Sequence, residues 1–192
     1  MKAIRIAALL CFCALLFCAC TSQDDWHPAN MKTVENENTD YTIYVPEDWT
    51  IDLTTGVTTA YDPDDRSNIS VAAFSLSGDD TYISASDYWA RYAADCRSTF
   101  SDFHYLTQDA QTGEETVEIS DTDAGTQITL GGSAAMKYQV AMTVTGIEYH
   151  YTVVICIRGG YAYMLTYTAR PDFYETHAEE VDKVITNFAF KK

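Results

Sequence analysis

The first residues with recognisable chemistry lie near the amino terminus, in the run Leu16-Phe17-Cys18-Ala19-Cys20. A thiol that directly follows a small residue at the end of an apolar leader is the pattern of a lipobox, where a diacylglyceryl group is attached before cleavage. Lys2 and Arg5 supply the positive end of such a leader, and residues 6–19 supply its apolar stretch. The pattern predicts cleavage before Cys20 and lipidation of its thiol.

Two alternatives to lipidation stay open, because Phe17 stands where Leu is usual and Cys18 where Ala or Ser is usual. One is a plain secretory signal cut after Ala19, and the other is an uncleaved anchor. The apolar stretch is shorter than the about 20 residues that a spanning helix needs. Acyl chains on Cys20 would favour membrane attachment by roughly 0.8 kcal/mol per buried methylene. The predicted location is extracytoplasmic, lipid-anchored to the membrane of a bacterial envelope.

Nucleophilic catalysis would need a Ser or Cys close to a His and a carboxylate. The sequence contains no G-x-S-x-G motif. Cys96, His104 and His177 have the required residue types, but no motif in the sequence indicates that they meet. Both cysteines of the folded part are expected to be buried. We therefore assign no catalytic residue and predict that the chain is not an enzyme.

The histidines do not have the spacing of a zinc site. None of the four is paired as in H-x-x-x-H, and His177 falls on the apolar stripe of a predicted helix. His177 is expected to be a packed, hydrogen-bonded residue.

Clustered aspartates could offer oxygen ligands to calcium. One group is Asp62, Asp64 and Asp65, and another is Asp121 and Asp123. Neither matches the D-x-[DN]-x-[DN]-G loop, and Asp is favoured in turns for backbone reasons. The aspartates are interpreted as turn residues, and no metal or cofactor is predicted.

The charge of the chain excludes one class of partner. The formal net charge is −16 over 192 residues. Nucleic-acid phosphates require Lys and Arg for neutralisation, so a nucleic-acid partner is not expected. A basic face for anionic lipid headgroups is equally unexpected. The acidic surface is interpreted as a solvated, mutually repulsive shell.

Alternation and turn residues outline the elements. A strand is predicted over residues 41–45, and a helix capped by Ser84 or Ser86 is predicted to run to about Phe103. A second helix starts at Pro171 and runs to the carboxyl terminus, since proline suits a first helical turn. Further strands are expected at 51–53, 57–61, 68–76, 115–120 and 127–130.

The segment 134–168 reads as a meander with two-residue turns at Thr145-Gly146 and Gly159-Gly160. Tight turns fix the register, which sorts the side chains onto two faces. The apolar face carries Met136, Tyr138, Val140, Met142, Tyr149, Tyr151, Val153, Ile155, Ile157, Ala162 and Met164. The other face is mixed and carries the remaining residues of the three strands. We expect the terminal helix on the apolar face and the first helix on the mixed face.

This placement bears on the two cysteines that remain beyond the leader and the lipidation site. Cys96 lies on the predicted first helix and Cys156 on the mixed face, so both would point into the same contact. Two cysteines in an exported domain allow one disulfide. Two buried free thiols are the alternative, since free Cys packs as a small hydrophobic residue.

The mixed face is the best candidate for a ligand or partner surface, because it combines aromatic walls with a few polar groups. A covered sheet with cross-strand aromatic packing is the alternative interpretation. The candidate residues are Lys137, His150, Arg158, Tyr161, Tyr163 and Tyr167.

Three segments are predicted along the chain: a signal peptide over residues 1–19, a lipidated Cys and flexible acidic tether over 20–39, and one domain over 40–192. A short strand around Lys32 to Val34 is allowed within the tether. The element order predicts an α+β fold, an antiparallel β-sheet with helices packed on both faces.

The pattern from about Tyr41 to Phe190 resembles the PsbP-like α/β/α sandwich. The matching features are Tyr41-Thr42-Ile43-Tyr44-Val45-Pro46-x-x-Trp49, the midchain helix with Trp89, the long meander, and the closing Tyr163–Ala169 strand before a terminal helix and Asn187-Phe188-Ala189-Phe190. That family includes luminal photosystem II extrinsic proteins, a Ran-binding nuclear import factor and many bacterial lipoproteins. The resemblance implies this fold and a binding or accessory role, with no active-site residues and no photosynthetic partner.

The leading functional hypothesis is a membrane-anchored, non-enzymatic binding or accessory domain. Its expected partners are the membrane, through lipid, and an envelope protein, or alternatively a small ligand. The other hypotheses are an envelope hydrolase whose site is not recognisable and a structural or stress-tolerance lipoprotein of the envelope.

Overall fold

The computed structural model describes residues 27–53, 57–108, 115–116 and 125–191. Its helices are α1 (Ala85–Thr99), α2 (Pro171–Tyr174) and α3 (Ala178–Asn187). Short 3-10 turns lie at Gly78–Tyr82 and Glu175–His177. The strands are β1 Met31–Val34, β2 Tyr41–Pro46, β3 Thr50–Asp52, β4 Thr58–Tyr61, β5 Asn68–Ser75, β6 Ser101–Tyr105, β7 Thr107–Gln108, β8 Glu115–Thr116, β9 Thr126–Leu130, β10 Ser133–Val144, β11 Ile147–Arg158, β12 Tyr161–Ala169 and β13 Ala189–Phe190.

The main sheet is antiparallel and has the order β3-β4-β5-β12-β11-β10-β6, with β9 also paired to β10. The predicted meander register is confirmed, because Val144 pairs with Ile147 and Arg158 pairs with Tyr161. A smaller sheet has the order β1-β2-β13. The prediction of an α+β chain built on an antiparallel sheet is confirmed.

Helix α1 begins after Ser84, whose hydroxyl accepts a hydrogen bond from the Asp87 amide as an N-cap. Its buried Trp89 stacks on Tyr138 of β10, with ring centroids 4.6 Å apart. The Trp89 indole also donates to the Tyr105 hydroxyl at 3.0 Å. We call the sheet surface under this helix the α1 face; its buried residues are Tyr105, Tyr138, Val140, Met142, Val153, Ile155 and Met164.

The carboxyl-terminal helices contact the other surface of the sheet, where Tyr174 of α2 stacks on Tyr167 of β12 at 5.4 Å. Val181 and Val184 of α3 join the same core cluster. We call this surface the opposite face; its buried sheet residues include Ala135, Ala141, Val154, Cys156, Leu165 and Tyr167.

The predicted assignment of helices to faces is therefore wrong, because the two helices are exchanged. Both helices carry an apolar stripe, so hydrophobicity alone does not choose between the faces. The polar groups of the opposite face decide which helices cover it, because Gln139 and Thr152 both hydrogen-bond the Tyr174 hydroxyl of α2. A buried polar group without a partner would cost about 1–3 kcal/mol.

The exchange also excludes the possible disulfide between Cys96 and Cys156. Cys96 packs on the α1 face and Cys156 lies on the opposite face, so the sheet separates them. Both thiols are free and buried. The alternative of two buried free thiols is confirmed.

Three boundaries differ from prediction. Helix α1 ends at Thr99 rather than near Phe103, which lies in β6. The terminal helix is interrupted by a 3-10 turn at Glu175–His177. Met31 and Val34 of β1 are 2% and 4% exposed, so the domain starts before residue 40. The predicted leader, Cys20, and Asp121 and Asp123 lie outside the described residues.

The Trp89–Tyr138 contact predicts how firmly α1 is held. Trp89→Ala removes the stack and the hydrogen bond to Tyr105, and we expect it to lower the free energy of unfolding by about 3–5 kcal/mol. Urea denaturation would measure the change. Tyr82→Ala is the control, because Tyr82 is 91% exposed and its replacement should change stability by less than about 0.5 kcal/mol. Equal effects of the two variants would contradict this packing.

Candidate binding site

The six residues predicted to line one cleft do not meet in a single cavity. Three of them, His150, Tyr163 and Tyr167, are buried, whereas Tyr161 is 44% exposed. Arg158 is exposed and its guanidinium carbon lies 4.3 Å from the centre of the Phe190 ring. The small sheet and the terminal helices cover the middle of the opposite face. A role for these residues in binding stays a prediction.

Lys137 and Tyr167 border a pocket of about 220 Å³ beside α2 and α3. Its inner wall is a hydrogen-bond network around the Tyr174 hydroxyl, which accepts from the Gln139 amide at 3.0 Å and lies 2.6 Å from the Thr152 hydroxyl. The Tyr167 hydroxyl donates to the Tyr174 carbonyl at 3.1 Å. These polar groups fasten the terminal segment to the sheet, so they are engaged within the protein.

Tyr161 and Tyr163 border a second pocket, of about 390 Å³, beside Asp40. The buried Tyr163 hydroxyl donates to the Asp40 carboxylate. Burial raises the pKa of Tyr163, and the hydrogen bond and charge of Asp40 raise it further. Tyr163 is thus a structural donor, while Tyr161 remains available at the rim.

A larger cleft, of about 500 Å³, lies on the α1 face near the β4–β5 turn. Asn68, Thr168 and Tyr151 form one line across three strands, because Asn68 pairs with Thr168 and Thr168 pairs with Tyr151. A smaller cavity of about 310 Å³ adjoins it at Tyr61. We call this surface the arginine cleft, with the defining residues Asp65, Arg66, Asn68, Tyr149, Tyr151, Thr168 and Arg170.

The two arginines give the cleft a positive rim in an acidic chain. Arg66 has a left-handed backbone with φ of 69° and lies 5.4 Å from the centre of the Tyr61 ring. Among residues that the structure describes, no carboxylate lies within 4.0 Å of Arg66 or Arg170. Arg91 differs, because it pairs with Asp80. The cleft therefore presents guanidinium groups that can take an external anion.

The tyrosine hydroxyl at the cleft wall stays protonated over the neutral range. Burial, together with a smaller contribution from the neighbouring Tyr149, raises the pKa of Tyr151 to about 12. A neutral phenol offers a hydrogen-bond donor and an apolar ring face. The wall therefore suits contact with a ligand and does not supply a base.

Sequence reasoning missed this cleft, because it placed Tyr149 and Tyr151 on the apolar face that packs into the core. A signal was present in β5, where Asn68 and Ser70 share the α1 face with the meander. Polar residues at core-facing positions indicate a part of the sheet that the helix does not cover.

A second cluster joins the β4–β5 turn to the terminal helices. His177 Nε2 lies 2.9 Å from Asp65 Oδ2 and 3.9 Å from Asp62 Oδ2. His177 Nδ1 lies 2.7 Å from Glu180 Oε2. The predictions of a packed, hydrogen-bonded histidine and of aspartates in a turn are confirmed. Their meeting was not predicted, because Asp65 and His177 are 112 positions apart.

The cluster shifts the protonation of its members in opposite directions. Burial lowers the pKa of His177, but the hydrogen bonds to Glu180 and Asp65 outweigh it, so the pKa is raised above 6.5. Burial raises the pKa of Asp65, but hydrogen bonds from His177 and Ser67 outweigh it, so the pKa is lowered. The ring and the carboxylates are therefore held as an ion pair.

Comparison with known proteins identifies the fold. No family model and no curated protein matches the chain. Cyanobacterial PsbP (CyanoP) of Synechocystis superposes with a TM-score of 0.58 and 15% identity, covering 86% of this chain and 95% of its own. The fold is PsbP-like, as the sequence resemblance predicted.

Two further solved structures share this fold. LpqN of Mycobacterium tuberculosis, described as involved in cell envelope biogenesis, has a TM-score of 0.52 and 16% identity, covering 84% of this chain and 91% of its own. PA94 of Pseudomonas aeruginosa, described as a protein of unknown function, has a TM-score of 0.52 and 14% identity, covering 82% of this chain and 95% of its own. In the part of the chain that the structure describes, no helix has both the length and the apolar character to cross a bilayer.

The raised pKa of Tyr151 predicts alkaline instability. An unfolded tyrosine titrates near 10, below the folded value of about 12. Its stabilising contribution is thus complete below pH 10 and is lost as the pH rises through 12. Tyr151→Phe removes the titrating group, so its melting temperature should fall less between pH 10 and 12 than that of the wild type. Circular dichroism melts would test this, with Tyr82→Phe as the exposed control and an unchanged alkaline fall as the contrary result.

Proposed function

We propose that this protein is a lipoprotein of the bacterial cell envelope, anchored through Cys20 outside the cytoplasm, with a non-enzymatic binding domain. The domain would be a PsbP-like sandwich with helices layered on both sheet faces. The observation that carries the proposal is the arginine cleft, whose guanidinium groups lack carboxylate partners among the described residues. The likeness to LpqN, an envelope-biogenesis protein, supports the same compartment.

The chemistry of the cleft favours an anionic group flanked by apolar surface. Guanidinium groups bind carboxylates and phosphates through two parallel hydrogen bonds. Tyr149 and Tyr151 add ring surface, and Asn68 and Thr168 add hydrogen-bonding groups. The rest of an acidic surface repels anions, so an anionic partner is steered to this rim. We propose that the ligand of the arginine cleft is an acidic segment of an envelope protein.

The state of the potential nucleophiles supports binding over catalysis. Burial raises the pKa of both Cys96 and Cys156, which keeps the thiols protonated at neutral pH. A catalytic thiol needs the opposite shift, because the thiolate is the nucleophile. The raised pKa of Tyr151 likewise favours a hydrogen-bond donor.

Lipidation would confine the domain to the membrane surface. Cys20 precedes the first residue of β1, Met31, by a short stretch of chain. At the extended limit of about 3.5 Å per residue, that stretch reaches about 40 Å. A partner of the arginine cleft would therefore lie in the membrane or close to it.

The anchor is tested by Cys20→Ser. The variant lacks the acceptor thiol, and the diacylglyceryl group is attached before cleavage, so we expect Cys20→Ser to carry no lipid and to keep its leader. Cys18→Ser is the matched control and should be lipidated and cut like the wild type. Mass spectrometry of the amino-terminal peptide would measure both changes, and a wild-type mass of that peptide in Cys20→Ser would contradict lipidation.

Binding is tested by crosslinking and pull-down from native membranes. Arg66→Gln and Arg170→Gln each remove one guanidinium from the cleft, and we expect each to reduce recovery of a specific envelope protein by at least about tenfold. Arg91→Gln makes the same charge change at an exposed pair with Asp80 and should recover the partner normally.

Tyr161→Ser separates the two candidate surfaces, because Tyr161 is exposed on the sequence-predicted face. Loss of the partner in Tyr161→Ser, with retention in both cleft variants, would move the binding surface to that face. Recovery of no specific protein by the wild type would contradict a stable protein partner.

A further inference from the structure

We propose that Asp62, Asp65 and His177 form a binding site for a divalent transition-metal ion, and we assign it to Zn²⁺. One nitrogen or oxygen atom from each side chain lies within 4.8 Å of the others. The three residues come from the β4–β5 turn and from the 3-10 turn before α3. The assignment is independent of the binding function proposed above.

The interatomic distances fit zinc coordination. Tetrahedral zinc with bonds of about 2.0–2.1 Å places its ligand atoms about 3.3 Å apart. The distances from His177 Nε2 are 2.9 Å to Asp65 Oδ2 and 3.9 Å to Asp62 Oδ2, which bracket that value. Small side-chain rotations would therefore complete the geometry.

Hydrogen bonds from backbone amides to Oδ1 orient the carboxylates of Asp62 and Asp65. Asp62 Oδ1 accepts from the amides of Asp64 at 2.7 Å and Asp65 at 3.2 Å. Asp65 Oδ1 accepts from the Ser67 amide at 2.7 Å. In both residues the backbone thus fixes one carboxylate oxygen and leaves Oδ2 turned toward His177.

Glu180 supplies the outer contact that metal-binding histidines need. Its carboxylate lies 2.7 Å from His177 Nδ1 and accepts the proton there. Nδ1 then keeps its hydrogen, and Nε2 becomes the ligand once it has released its own proton to solvent. Carboxylate–histidine–zinc arrangements have this form.

Two buried polar groups beside the cluster have no hydrogen-bond partner of normal geometry. They are the Ser67 hydroxyl and the Trp49 indole nitrogen. The Ser67 hydroxyl is close enough to Asp65 and Tyr167 to act on the pKa of both in the lowering direction. The Trp49 ring meets the His177 ring edge-on, with centroids 5.3 Å apart. A metal-bound water in the remaining position could give the serine hydroxyl a partner.

Charge and ligand type favour zinc over other cations. The His177 imidazolium faces the carboxylates of Asp62, Asp65 and Glu180, so negative charge is in excess, and both aspartates are more than four-fifths buried. A divalent ion removes that excess. Calcium and magnesium prefer all-oxygen ligands, whereas one imidazole with carboxylates suits zinc.

Isothermal titration of the chelator-treated mature protein with ZnCl₂ tests the site. We expect one equivalent to bind and the melting temperature to rise. Asp62→Asn should weaken binding by at least about tenfold while retaining the Oδ1 acceptor, and His177→Gln should abolish it. Glu180→Gln should weaken binding about 10–100-fold without abolishing it. Asp64→Asn, an exposed change in the same turn, should bind normally.

Cobalt substitution adds a readout that does not depend on stability. Co²⁺ bound to one imidazole and two carboxylates should give a visible d–d spectrum that Asp62→Asn changes and Asp64→Asn does not. Absence of stoichiometric zinc binding, equal binding by Asp62→Asn and Asp64→Asn, or tighter binding of Mn²⁺ than Zn²⁺ would each overturn the assignment. The Asp62→Asn result stands even if His177→Gln fails to fold.

Discussion

The rest of the molecule depends on two tight turns, Thr145-Gly146 and Gly159-Gly160. All four residues have positive φ, between 51° and 82°, which suits the twist of two-residue hairpins. They hold β10, β11 and β12 in one register, and a slip by one residue would send every side chain to the wrong face. Three features follow from this register. They are the stacking of Trp89 on Tyr138, the stacking of Tyr174 on Tyr167, and the alignment of Asn68, Thr168 and Tyr151 in the arginine cleft.

The strands and their faces could be predicted because alternation and turn chemistry are local. The side taken by each helix could not, because both helices have apolar stripes and both faces offer apolar residues. The deciding information is the match between the Tyr174 hydroxyl and the polar groups of Gln139 and Thr152. That match joins residues 35 and 22 positions apart, beyond the reach of any periodicity.

The same match explains why the opposite face looked like a binding surface. Its polar residues bind the covering segment, so Thr152, His150 and Tyr167 are buried with partners inside the protein. The arginine cleft and the cluster of Asp62, Asp65 and His177 are the two sites proposed for ligands, and each is assembled from segments that are distant in the sequence. Spacing rules find metal ligands that share one element, and Asp65 and His177 do not share one.

The arginine cleft and the proposed zinc site share the turn from Asp62 to Arg66, so we expect the two sites to be coupled energetically. Asp65 helps to line the arginine cleft and also pairs with His177. Without a bound cation, the excess negative charge of the cluster lies beside Arg66 and opposes the approach of an anion. A divalent ion would cancel that charge and stiffen the turn that holds Arg66 at its left-handed φ. Metal and anion should therefore strengthen each other's binding by the same factor, since such coupling is reciprocal.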